Sequence, residues 1–176
     1  MTAKILLTSF DIWKPHHTSN SSDDLLAKFS EFHSLPHSFS FLRKLPVDFE
    51  EAPRQAIAKL EEVKPDIFIP CGMAELRSKL TLESTATQGD ETLKTPIDLE
   101  ALLTNLNMTE ISHDAGKFVC ESLYFSTLKH LASSSLNTFC LFIHVPLLTP
   151  ENLDSILSDF LLIIERLAKL LEPQRE

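Results

Sequence analysis

Short apolar runs of strand length alternate with amphipathic helical stretches along this chain, and that alternation restricts the fold more than any single motif does. Residues 4–10 (KILLTSF) read as a buried first strand, 38–47 as a second strand stopped by Pro46, and Ile67-Phe68-Ile69-Pro70-Cys71-Gly72 as a third. A continuous apolar run such as 67–72 has no polar face, which is the pattern of a strand covered on both sides in a parallel sheet. Residues 77–88 alternate and predict a further strand with Glu83 on the face opposite Leu82, and 137–145 (NTFCLFIHV) is the most strand-like segment of all. Between these lie helical stretches. One is capped by Ser21 or Ser22 and ends near Phe32, with Asp23 and Asp24 in its first turn; others run from Phe49 to Val63, over 96–106, and from the Ala115-Gly116 turn to Ser133. A last helix starts at Thr149-Pro150-Glu151 and carries a 3.6-residue stripe from Leu153 to Leu171. A short extended segment spans Thr109 to Ser112. The expected architecture is one domain over residues 1–176, a three-layer α/β/α sandwich with a mostly parallel twisted sheet and helices on both faces.

Composition excludes several function classes. Only Gly72, Gly89 and Gly116 are present, so no glycine-rich nucleotide loop and no GxSxG elbow can be written. Sixteen basic against 25 acidic residues give a formal charge of −9, which disfavours nucleic acid and anionic membranes as partners. Cys71, Cys120 and Cys140 form no paired framework, which fits reduced thiols in a cytoplasmic protein, and no targeting or membrane segment is read. No metal site and no cofactor are expected: HExxH is missing, Pro36 separates His33 from His37, and His16-His17 reads as a polar loop.

In open α/β sheets sites gather outside the carboxyl ends of the strands, where Phe10, Cys71-Gly72, the turn before Cys120 and His144 should meet. Cys120 falls in the first turn of a helix, where unpaired N–H groups favour a thiolate. A nucleophilic thiol needs a proton acceptor, for which His144 is suited, and a carboxylate to orient the ring, for which Glu83 is best placed. Each of the three also has a plain structural explanation, as core thiol, strand-end cap and strand residue.

The segments AGKFVC (115–120), FIHVP (142–146), LTLES (80–84), LPV (45–47) and KPD (64–66) occur in an order and context that resemble the pyroglutamyl peptidase I family, cysteine peptidases that remove N-terminal pyroglutamate. The resemblance spans nearly the whole chain. It implies Cys120 as nucleophile, His144 as general base and Glu83 as the orienting carboxylate, with a peptide or small amide as substrate. It also implies an aromatic substrate pocket: Phe10 and Trp13 stand at the matching positions of an early loop, although that loop has lost the family's glycines. Met73 lies in a turn that is glycine-rich in the family and here reads Gly72-Met73-Ala74-Glu75-Leu76-Arg77. Glu121 follows the cysteine where the family commonly has Asn, and the family's long loop after the carboxylate is largely missing. Two rival readings follow from these departures, a related hydrolase of another small acyl or cyclic amide and a catalytically impaired binding or scaffolding module. Oligomerisation is left open.

Overall fold

A computed structural model describes residues 2–172. The first strand, β1 (Lys4–Phe10), is buried along nearly its whole length and alternates its side chains between two cores. Ile5 and Leu7 face one and Leu6 and Phe10 the other, as the two-residue period of a strand requires. The helix α1 (Ser21–Phe32) follows, capped by the Asn20 side chain, which accepts from Ser22 N, so neither predicted serine is the cap. Next come β2 (Ser38–Leu45), α2 (Glu51–Val63) and β3 (Ile67–Met73).

The 77–88 stretch is two strands rather than one. β4 (Leu80–Glu83) belongs to the main sheet, whereas β5 (Thr85–Gln88) leaves it to pair antiparallel with β6 (Glu91–Lys94) around a turn at Gly89. The unanticipated β6 is mostly exposed and lacks an apolar face to signal it. A short helix α3 (Leu99–Leu103) replaces the longer one predicted over 96–106, and β7 (Thr109–Ser112) matches the expected extended segment. After α4 (Val119–Ser133), the 137–145 run divides into β8 (Phe139–Cys140) and β9 (Ile143–Val145). The last helix, α5 (Leu153–Lys169), begins after Asn152, because the Thr149-Pro150-Glu151 stretch is spent in a turn.

The main sheet has seven strands in the order β2-β1-β3-β9-β4-β7, with β8 also paired to β3. All its pairings are parallel except β4 against β9. One face is covered by α1, α3 and α5 through Leu25, Phe29, Leu102, Phe160 and Ile164, and the other by α2 and α4 through Ala56, Leu60, Leu123 and Phe125. Among the described residues no helix is long and apolar enough to cross a membrane.

One buried polar knot fixes the carboxyl end of β1. The β1–β2 register shifts between Thr8 and Phe10, and Lys44 adopts a left-handed φ of 59°. Ser9 Oγ donates to Asp23 Oδ1 at 2.7 Å and accepts from Lys44 N, while the Arg43 guanidinium holds both Asp23 oxygens at 2.8 and 2.9 Å. Phe10 N then donates to Ser22 Oγ. Burial favours the neutral Asp23 carboxyl, but the Arg43 and Ser9 hydrogen bonds outweigh it and hold the group below its ordinary value.

Candidate active site

The carboxyl ends of β1, β3 and β9 and the amino end of α4 converge on one cavity of about 300 Å³, lined by Phe10, Trp13, Met73, Cys120 and His144 among others. Five of the six residues singled out in the sequence therefore line one space. The sixth, Glu83, is fully buried behind His144 at the end of β4.

Cys120 is the second residue of α4. Gly116, with φ of +93°, turns the chain into the helix after donating to Asp114 Oδ1, and the N-cap residue Phe118 offers no side-chain acceptor. The first N–H groups of α4 thus lack the usual cap. The sulfur packs against β3 at Gly72: a Cβ on that glycine would sit 2.5 Å from Cys120 Sγ and 2.9 Å from Phe142. Here a side chain of any kind would displace the thiol.

The helix start is not the largest influence on the Cys120 thiol. Burial pushes the Cys120 thiol up to about 12, and the negative charge of Glu83 adds to the rise, against smaller opposition from its backbone hydrogen bond and Arg77. Glu121, which follows the cysteine in sequence, is engaged elsewhere: its Oε1 accepts from Thr87 N at 3.0 Å. Cys71 and Cys140 are fully buried thiols, pushed up by burial.

His144 Nδ1 lies 2.7 Å from Glu83 Oε1, and both side chains are buried. With the carboxylate ionised, Nδ1 carries the shared proton and Nε2 is left as an acceptor. Among the described residues no hydrogen bond joins the Cys120 sulfur to the His144 ring, although both line the cavity. Phe142 packs on the imidazole with centroids 4.8 Å apart.

Glu83 is held from several sides. Tyr124 OH donates to its carbonyl at 2.8 Å, Thr81 Oγ1 to its Oε1 at 3.3 Å, and the Arg77 guanidinium forms an ion pair with the same oxygen. Burial would raise the carboxyl, but the His144 hydrogen bond, joined by that of Arg77, keeps it below its ordinary value. Arg77 also bonds Thr81 and donates to the Asp114 carbonyl at 2.8 Å, tying the carboxylate strand to the loop that enters α4. Its importance was missed in the sequence. Strand parity places Thr81 and Glu83 on one side of β4, but Arg77 lies before that strand and carries no such signal.

Phe10, Trp13 and Met73 all line the cavity. Phe10 is buried at the end of β1, and Met73 ends β3 with its sulfur 3.5 Å from Ser21 N. Trp13 is partly exposed and packs at a tilt on Phe118, with centroids 4.8 Å apart, and Phe118 meets Phe49 edge-on at 5.7 Å.

The chain is similar to known proteins in both sequence and fold. A family model described as pyroglutamyl peptidase matches residues 99–159, the segment that includes Cys120 and His144. The chain is 28% identical to a pyrrolidone-carboxylate peptidase of Brachyspira hyodysenteriae, over 86% of this chain and 87% of that one. Its fold superposes on the pyrrolidone carboxyl peptidase of Thermococcus litoralis with a TM-score of 0.85 at 22% identity, covering 99% and 97% of the two chains. For the pyroglutamyl peptidase I of Bacillus amyloliquefaciens the TM-score is 0.83 at 21% identity, with 96% of each chain covered. Taken with the motif order in the sequence, these likenesses show that the chain has the fold of the solved pyroglutamyl peptidases and is similar to that family.

Proposed function

We propose that this chain is a thiol hydrolase that removes an N-terminal pyroglutamyl residue, with Cys120 as nucleophile, His144 as acid and base, and Glu83 as the group that orients and charges the imidazole. The observation that carries this reading is the buried Glu83–His144 pair, 2.7 Å apart, opening on the same cavity as Cys120. A carboxylate in that position has two effects of opposite sign. It penalises an isolated thiolate, which helps keep the resting thiol neutral, and it stabilises an imidazolium, which forms only when the proton moves.

The reaction starts from neutral thiol and neutral imidazole. Cys120 Sγ attacks the acyl carbonyl while its proton passes to His144 Nε2, and the N–H groups without a cap at the start of α4 donate to the developing oxyanion. Collapse breaks the C–N bond, with the imidazolium proton going to the leaving amine. Water, deprotonated by His144, then cleaves the thioester and restores the thiol. The flat, uncharged lactam suits a cavity with the aromatic surfaces of Phe10, Trp13 and Phe118 on its lining.

Incubation with a pyroglutamyl amide of a fluorogenic amine tests this reading. Release of the amine that disappears in Cys120→Ser supports it; no release, with folded protein, removes the specificity. The competing reading, a binding module on an impaired site, draws on the thiol held at about 12. It predicts no turnover of any acyl amide and no preferential alkylation of Cys120.

A further inference from the structure

The loop after β1 carries His16 and His17, and the turn after β3 carries Glu75, which lies 58 positions from His17 in sequence yet against it in space. His17 Nε2 is 2.7 Å from Glu75 Oε2, and His16 Nε2 is 3.4 Å from the same oxygen. One ligand atom from each of the three residues falls within a span of 4.8 Å. Bonds of ~2.0–2.2 Å in a tetrahedral site set neighbouring donors ~3.3–3.5 Å apart. The His16–Glu75 separation already has that value, and the His17–Glu75 hydrogen bond would open by roughly half an ångström on exchanging its proton for an ion.

We propose that His16, His17 and Glu75 form a binding site for a divalent transition ion of the Zn²⁺ class, completed by water. Two imidazoles and one carboxylate suit Zn²⁺ and its neighbours Co²⁺ and Ni²⁺, whereas Ca²⁺ and Mg²⁺ require oxygen donors in larger number. The donors are prepared to unequal degrees. His17 is nearly buried and held edge-on by Trp13 at 5.8 Å, while His16 is largely exposed and free to adjust. Lys14 forms an ion pair with Glu75 Oε1, which leaves Oε2 for the ion. Its positive charge stands against the cation and weakens the site.

That charge supplies a test that unspecific histidine binding would not pass. Lys14 and Glu75 also line the Cys120 cavity, so an ion here ties the Trp13 loop to the β3–β4 turn at the cavity rim. The inference does not depend on the hydrolase reading.

The experiment is a titration of folded Cys120→Ser protein with Co²⁺ alone, followed by calorimetry and by the visible absorption of four-coordinate cobalt. Cys120→Ser removes the most competitive ligand near the cavity. One ion per chain is expected, with affinity lowered at least about tenfold in His16→Ala and in Glu75→Gln, and raised about tenfold in Lys14→Met. His16 is exposed, so His16→Ala keeps the fold and the comparison stays valid. Failure of Co²⁺ to bind, binding unchanged in His16→Ala and Glu75→Gln, or weaker binding in Lys14→Met would each overturn the proposal.

Discussion

Replacing Glu83 by Gln keeps the volume of a fully buried side chain and removes only its charge. In the proposed reaction that charge faces an imidazolium, since Glu83 Oε1 is 2.7 Å from His144 Nδ1. A carboxylate and an imidazolium whose charge centres are about 4 Å apart interact by about 4 kcal/mol at an effective dielectric near 20. Losing that interaction corresponds to about a thousandfold in rate. Arg77 deepens the loss, because its guanidinium pairs with the same carboxylate and would be left beside the imidazolium without a neutralising partner. The thiol should respond in the other direction. Glu83 is one of the groups that raise Cys120, so Glu83→Gln lowers the Cys120 value and lets iodoacetamide alkylate it at lower pH. The assay is therefore paired: kcat/KM on a pyroglutamyl amide and the pH profile of alkylation on the same protein, with a thermal melt to confirm folding. Activity down about a thousandfold with the alkylation profile moved towards acid is the expected pair. Unchanged activity, or a profile moved towards base, would refute the electrostatic role assigned to Glu83.

Arg77→Met should reduce kcat by about tenfold with little change in KM, because in the proposed reaction the guanidinium acts by holding the carboxylate. The acid limb of the pH–rate profile should move up with it, since Arg77 helps keep Glu83 ionised, and Arg77→Lys should recover part of both effects. Gly72→Ala places a methyl 2.5 Å from Cys120 Sγ, so a loss of activity of about a hundredfold or more is expected with a stability cost of about 1–3 kcal/mol, read by substrate turnover and urea unfolding. Glu83 and Asp23 both sit below their unfolded values, so each adds stability that is present above about 4.5 and about 3.8 respectively and is lost as pH falls through the lower folded values. Urea midpoints measured from pH 7 down to pH 2 should fall on the acid side, and the fall should be smaller in Asp23→Asn.

Periodicity made β1, β3 and α4 legible because in each the burial pattern and the local propensity agree. It failed where the chain changes partners without changing its pattern. Leu80, Leu82 and Ala86 keep one parity across this stretch, yet Ser84 N donates to Ser112 O and the next residues leave for a second sheet. The apolar run before His144 likewise hides a break at Leu141-Phe142, where Phe142 O accepts from Glu83 N and the strand turns from β8 to β9. Cys120 and His144 could be paired from topology, since both belong to the carboxyl edge of the sheet. The state of the thiol could not, because the helix-start argument counts the unpaired N–H groups and knows nothing of the burial and the Glu83 charge that outweigh them. Glu75 reads in the sequence as a departure from a glycine-rich turn, and Arg77 only as the last residue of that turn. Their partners, Glu83 and the His16-His17 pair, emerge only once that turn is folded against β4 and the loop after β1.

The central claim is that Cys120 is a nucleophile aimed at a pyroglutamyl carbonyl. Treating the folded protein with one equivalent of a pyroglutamyl chloromethyl ketone and mapping the adduct by peptide mass spectrometry tests it directly. The account predicts a single adduct on Cys120, abolished in His144→Ala, with the fully buried Cys71 and Cys140 untouched. Equal modification of all three thiols, or an unlabelled Cys120, would contradict it.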